Sequence, residues 1–486
     1  MKNINIFFKE KPLKMFCLGF SSGLPILLVF STLSVWLVKA GVSRSTVTLF
    51  SWAGFAYAFK YLWAPLVDNY RLPLFKKLGH RRSWLILTQL LIIFALILVS
   101  FTDPHKNIFF TALFITLLAF FSSTQDIVID AFRIESAPQS LQGPLSSMYI
   151  AGYRVAMLVS GAGSLWMASF LGAEIYDQNV WKKVYLAMSI LMLVGIFATL
   201  ISKEPKIKKK LKSKNHFNFL LTILVSVVGF IYLYSLISNP FNQDEILTSF
   251  LFSIFRLLIC FIFTFLVIKI LISVRFTSGE NISKTYIKPI SNFLQKYGKF
   301  AFLILLLISL YRIADVVMGV MANIFYLEKG YKISEIATFS KFFGVFATIL
   351  GGFVGGFCSY KFGTMKSLFF GALIAASSNL LFAWLAIAPL SINLLILIIT
   401  ADNISSGFAG AAFVIYLTSI TSIKFTATQY ALFSSIMLFL PKLIAGYAGS
   451  WVDFMGYPYF FSLTAFLGLP VLFLIIWISK VIPAKN

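Results

Sequence analysis

Asp126 and Asp130 lie four residues apart in the stretch SSTQDIVIDAFRIE, so on a helix they share one face, and Arg133 follows on that face about one turn further. Arg154 stands about nine residues into the next apolar run, roughly 13 Å from its start at 1.5 Å per residue. A charge that faces lipid at such depth costs about 2.5 to 3.5 kcal/mol, so these groups must point at one another or into a water-filled cavity. Carboxyls and cations in that setting can carry protons or recognise an ionic solute. Further embedded charges are Lys60, Arg256, Arg312, Asp315, Lys341, Asp402 and Lys442, with Lys269 close enough to a helix end to snorkel. Arg312 and Asp315, three apart, suit an intrahelical pair as well as a transport role. Asp402 has no partner on its own helix and needs a cation across a cavity or a proton. Arg256 is expected to anchor its helix against the main bundle. Apart from Lys269, the embedded cations outnumber the embedded carboxylates, a balance that favours anionic ligands.

The elements that position these charges are apolar runs. Hydrophobic residues make up 59% of the chain and charged residues 12%, at a mean hydropathy of +0.89, which places it outside soluble averages and among all-α polytopic membrane proteins. Six runs fall at roughly 14–38, 46–67, 83–101, 107–132, 145–171 and 183–201. After the lysine-dense KEPKIKKKLKSKN come two more, near 217–238 and 246–274. A second basic linker leads to six others, near 300–327, 335–359, 367–388, 392–420, 428–452 and 458–480. The expected organisation is fourteen spans: an N-terminal six-helix bundle (1–201), linkers with two extra helices (202–299) and a C-terminal six-helix bundle (300–486). The basic start MKNINIFFKEKPLK precedes a run too long for a signal-peptide core, so it reads as a retained first span.

With both termini inside, about 27 Lys and Arg fall in cytoplasmic segments, about 7 outside and about 7 within spans, the positive-inside asymmetry of a multi-pass membrane protein. The formal charge of +24 therefore marks cytoplasmic loops and not a nucleic-acid surface. Cys17, Cys260 and Cys358 lie in apolar runs without metal-ligand spacing, and His80, His105 and His216 are isolated, so no disulfide, metal or cofactor is expected. No nucleophile elbow, HExxH or phosphate loop appears, which leaves an integral-membrane enzyme without a catalytic set. The two six-span groups carry a trace of repetition: Ser146 and Ser147 precede Arg154 by the spacing at which Ser434 and Ser435 precede Lys442. Arg154 and Lys442 are thus equivalent cations, suited to substrate carboxylates or to a cytoplasmic gate. Asp126, deeper than Asp130, is the favoured proton carrier; a permanent ion pair locking spans 2, 4 and 5 is the alternative.

The segments LGFSSGLPILL, FAYAFKYLWAPLVDNY, RRSWLILTQ, SSTQDIVIDAFRIE, GYRVAMLVSG and FTATQYALFS resemble, in order, the AmpG muropeptide permease family of the major facilitator superfamily. The loops APLVDNYR to GHRRS and GGFVGGFCSYKFGTMK echo the charged loop that this superfamily places after spans 2 and 8, with Ala64 and Ser359 as departures. The resemblance implies two six-helix bundles with two additional helices between them. It further implies an inner-membrane permease of Gram-negative bacteria that imports N-acetylglucosaminyl-1,6-anhydro-N-acetylmuramyl peptides with protons for cell-wall recycling, and so influences β-lactamase induction; separately, a monomer is expected. Gly23 is a family-like position. Carried onto this chain together with the charge reading, Lys60, Gln125, Tyr153, Arg154, Lys341 and Lys442 are expected to bind substrate. Asp126, Asp130, Asp315 and Asp402 are expected to couple protons, and Asp68, Arg133 and Gln429 to gate. Lys442 stands where an arginine is more familiar, and an ammonium lacks the bidentate fork. Another major facilitator carrier of anionic solutes, such as acyl-CoA or drugs, is the alternative function.

Overall fold

Apolar runs of membrane-spanning length satisfy their backbone polar groups internally by becoming helices. The computed structural model describes residues 10–64, 67, 72, 76–136, 139–205, 216–238, 240–241, 245–421 and 426–481, and every regular element among them is helical. In chain order these are α1 (Glu10–Lys39), α2 (44–62), α3 (His80–Ser100), α4 (Ile108–Glu135), α5 (139–170), α6 (Gln178–Ile201), α7 (His216–Leu236), α8 (Ile246–Ser273) and α9 (279–297). The second half of the chain adds α10 (301–329), α11 (Ile333–Phe362), α12 (Thr364–Ile387), α13 (Ile392–Ile420), α14 (426–455) and α15 (Tyr457–Val481). Among the described residues, 11 stretches are long and apolar enough to cross a membrane. The three remaining apolar runs, in α2, α5 and α7, are helical but not among those eleven, so the count of fourteen spans is not reached on this criterion. α2 alternates between α and 3-10 turns, which breaks its length.

Glycines decide how closely the helices approach. An added Cβ at Gly152 in α5 would lie 2.0 Å from the Phe16 carbonyl oxygen of α1, and one at Gly19 would lie 2.1 Å from that of Tyr149. Gly351 and Gly407 meet the backbone of Ile404 and Thr348 in the same way where α11 crosses α13. Backbone against backbone cannot relax as a side-chain tip can, so Gly152→Ala should cost about 1 to 3 kcal/mol and lower the thermal unfolding midpoint of the detergent-solubilised protein. Gly356→Ala, whose Cβ would meet nothing within 4 Å, should leave the midpoint unchanged.

α3, α4, α12 and α13 run without interruption. The helices that meet across the two halves of the chain are broken: α1 at Phe30, α5 by a π turn at Val159–Gly163, α10 at Tyr311 and Arg312, α11 by a π turn at Ile336–Phe343, and α14 near Tyr447. Such breaks are tolerated inside a bilayer where neighbouring helices or a cavity re-satisfy the freed backbone groups. α7 and α8 pack on each other and flank the bundle, with Phe261 against Phe59 and Phe439 and the Ser253 hydroxyl 2.6 Å from that of Tyr447. Arg256 does not anchor the pair to the bundle as expected. It donates to the Tyr234 carbonyl at 2.7 Å and lies over that ring, tying α8 to α7, because a carbonyl in the last turn of a helix has no partner within its own helix. α9 crosses the end of the bundle nearest the termini, where Tyr286 donates to the Leu62 carbonyl at 2.6 Å.

At that same end the start of α3 is pinned by charge. Gly79, at φ +95, admits the Glu204 carboxylate, which accepts from the backbone N–H groups of Arg81 and Arg82 at 2.8 and 3.1 Å. A carboxylate over a helix N-terminus satisfies orphan donors and opposes the helix dipole. Arg81 then reaches Glu135 at the end of α4 at 2.7 Å, and Arg82 donates to the carbonyls of Thr199 and Leu200.

Candidate functional site

Between the halves lies a cavity of about 270 Å³ lined by α1, α2, α10, α11 and α14. Phe30, Ser31, Ser34 and Ser51 face Asp315, Asn323, Lys341 and Lys442 across it. Each cation arrives through a local feature of the chain. Lys341 sits in the π turn of α11, opposite Gly161 in the π turn of α5, and Lys442 follows Pro441 in α14, with Gly54 of α2 leaving room for its stem. The Lys442 ammonium lies 4.3 Å from the centre of the Phe30 ring. Among the described residues neither lysine has a carboxylate within ion-pair distance. Asp315 is already engaged: its carboxylate is 2.9 Å from Arg312 Nε, and the pair spans the break in α10.

A second group of polar residues surrounds Asp126. Its side chain is 9% exposed and accepts a 2.5 Å hydrogen bond from the Ser22 hydroxyl, which in turn lies 2.9 Å from that of Tyr149. This joins α1, α4 and α5. The phenols of Tyr57, Tyr149 and Tyr153 are near enough to feel the Asp126 charge, and Lys60, on a 3-10 turn of α2, is the cation that acts on it. Among the described residues, no ion pair within 4.0 Å joins Asp126 to a cation, so the permanent lock expected as the alternative is not formed. Asp130, one turn on, is half exposed and pairs with Arg133 at 3.2 Å; Arg133 also donates to Ser146 at 2.5 Å and lies over the Tyr149 ring.

The other expected residues are placed as follows. Asp402 accepts from Ser378 at 3.2 Å, and Arg312, which pairs with Asp315, also donates to Ser406 one turn along α13 from Asp402. Arg154 is half-buried, and among the described residues its one close polar contact is with the Met157 sulfur at 3.8 Å. Tyr153 packs against Tyr149, and its carbonyl abuts Gly23. Gln125 is fully buried and donates to Ser21 at 2.9 Å, in the contact between α1 and α4. Gln429 is buried under α9, donating to the Pro289 carbonyl at 2.9 Å. Asp68 lies outside the described residues. Sequence reasoning passed over Ser22, Tyr149, Phe30 and Asn323, whose hydroxyls, ring and amide complete the two groups. The one signal available was the spacing of Ser22 within FSSGLP, one residue before the glycine that brings α5 close.

The Major Facilitator Superfamily profile matches residues 15–422. A Rickettsia felis protein named as a transporter, AmpG 4, is 31% identical over 478 residues, 98% of each chain. The anhydromuropeptide permease of Escherichia coli strain K12 is 26% identical over 475 residues, covering 97% of this chain and 80% of that one. Among solved structures, a POT family transporter in complex with a thioalcohol-conjugated peptide superimposes with a TM-score of 0.65 at 14% identity, over 99% of this chain and 97% of that one. The partially occluded, inward-open xylose transporter XylE of Escherichia coli gives a TM-score of 0.59 at 11% identity, over 99% of this chain and 100% of that one. Helical architecture, a charged cavity between halves and these matches agree: the chain belongs to the Major Facilitator Superfamily and, within it, to the AmpG transporter family.

Proposed function

We propose that this protein imports anhydromuropeptides together with protons across the bacterial inner membrane by alternating access, acting as a monomer with both termini in the cytoplasm. The fourteen apolar runs are read as fourteen spans, the pair between 202 and 299 serving as an accessory to bundles 1–201 and 300–486. One observation carries the assignment of the site: Lys341 and Lys442 face a cavity between the halves with no carboxylate within ion-pair distance among the described residues. An unpaired ammonium out of water is costly, and a bound solute that brings carboxylates supplies what the fold withholds. A peptide-bearing sugar does so. The cavity, at about 270 Å³, is smaller than the roughly 300–1,000 Å³ of drug-sized sites, so it holds the charged part of a larger ligand. Arg154 and Lys60 extend the cationic lining toward the termini, and Asp126 carries the proton.

With the termini inside, the contacts between halves at the opposite end close the outer face, as in an inward-facing carrier. Right-side-out vesicles bearing the protein should accumulate radiolabelled anhydromuropeptide when the outside is made acidic, and a protonophore should stop them. Competition by unlabelled acyl-CoA in place of anhydromuropeptide would favour the other anionic-solute reading. Uptake indifferent to the protonophore would remove proton coupling.

A further inference from the structure

Lys442 stands on a turn of α14 that the helix itself holds weakly. Pro441 has no N–H to give the Met437 carbonyl. The helix then breaks at Gly446 and Tyr447, where the Gly446 N–H reaches the Lys442 carbonyl at 3.3 Å and the Tyr447 N–H turns to that of Ile444 at 3.0 Å. The Leu443 carbonyl freed by the break accepts from Trp52 Nε1 of α2 at 3.3 Å. A backbone interrupted on both sides of a lysine leaves the direction of that lysine to the neighbouring helices. α8 touches both flanks of the turn. Before Lys442, the Phe261 ring lies 6.5 Å from that of Phe439 and 6.2 Å from that of Phe59 in α2. After it, the Tyr447 hydroxyl donates to the Ser249 carbonyl at 3.1 Å and lies 2.6 Å from the Ser253 hydroxyl, which is left to donate, while the Phe250 ring stands edge-on to the phenol at 5.5 Å.

Ser249, Ser253, Leu257 and Cys260 form one buried stripe along α8, whereas Leu251, Phe255, Leu258 and Ile262 around it are exposed on the outside of the bundle. Apolar packing alone would seat α8 at many registers along α14. A carbonyl and a hydroxyl that converge on the residue after the break select one register, the one that spans the Lys442 turn. Among the described residues, none from α7 or α8 lines the cavity, so any effect of the accessory pair on the cavity passes through the helices it touches. We infer that α8 positions the substrate site: through Tyr447, the positioning residue, it holds the interrupted turn of α14 so that the Lys442 ammonium is aimed into the cavity beside Phe30. This rests on the reading of Lys442 as a substrate contact.

Uptake of labelled anhydromuropeptide by vesicles bearing the protein tests it. Tyr447→Phe keeps the ring and removes both hydroxyl contacts; it should raise KM roughly three- to tenfold with the maximal rate held within about twofold, and Ser253→Ala should raise KM by a smaller factor. The lysine backgrounds separate positioning from a general loss of packing. With Lys442→Gln already present, Tyr447→Phe should add nothing to KM, whereas with Lys341→Gln it should keep its full factor. If Tyr447→Phe does not reach the membrane, Ser253→Ala carries the same comparison. An unchanged KM in variants present at normal abundance overturns the positioning role, and so does an equal rise in both lysine backgrounds. A rise with Lys442→Gln but none with Tyr447→Phe overturns this role alone, while an unchanged KM with Lys442→Gln overturns the substrate reading and this role with it.

Discussion

Asp126→Asn should abolish uphill, gradient-driven accumulation of substrate while leaving counterflow exchange intact. One net charge moving through 100 mV carries about 2.3 kcal/mol, so the accumulation ratio in vesicles at that potential should fall from roughly fiftyfold per coupled charge toward unity. The setting of Asp126 supports this separation. The carboxyl is buried, receives one hydroxyl hydrogen bond from Ser22, and has Lys60 near it but outside ion-pair contact. An ionised carboxylate held that way is poorly compensated, and a proton or an approaching ammonium relieves it. Asparagine keeps the bond from Ser22, so the contact between α1 and α4 survives while the proton site is lost. A variant that still accumulates substrate against a gradient would move the coupling to Asp315 or Asp402. Asp315 is paired with Arg312, whereas among the described residues Asp402 has no cation within ion-pair distance.

Lys341→Gln and Lys442→Gln should each weaken substrate affinity by roughly 10- to 150-fold, the worth of a charge-assisted hydrogen bond of about 1.5 to 3 kcal/mol. The informative part is the sign of the stability change. Neither lysine has an ion-pair partner among the described residues, and both are turned into the cavity. Removing such a charge relieves a desolvation cost, so the unliganded variants should unfold at the same or a higher temperature while binding falls. That opposition marks a site kept for function at the expense of stability. A lysine that held the bundle together would instead lose folded protein and affinity together. Thermal unfolding of the purified variants, with and without anhydromuropeptide, distinguishes the two, and a fall in the unliganded midpoint would count against the substrate role.

The apolar runs by themselves determined the fold class, because the hydropathy of about twenty residues sets whether a segment enters a bilayer and does not depend on what it packs against. The helix limits follow the runs closely, as at 392–420 and 458–480, since a helix in lipid ends where its apolar stretch ends. The identity of the embedded charges was also legible, because an ionisable residue at membrane depth needs a reason wherever it points. The i, i+3 relation of Arg312 and Asp315 left an intrahelical pair and a transport role equally open, and the structure forms the pair. Rotation and long-range partnership were not. A helix turned by one residue moves a side chain about 100° around its axis without altering hydropathy. Only packing could therefore send Gln125 toward Ser21 and Gln429 under α9 while aiming Lys341 and Lys442 into the cavity. The breaks in α1, α2, α5, α10, α11 and α14 were hidden for a related reason: apolarity reports that a segment is buried in lipid, and the neighbours across the seam decide where its backbone can leave the helical path. Arg44 is the clearest case. In the sequence it is one basic residue in a short loop, and its ion-pair partners Glu328 and Asp453 lie hundreds of residues away and are brought to it only where the two halves meet.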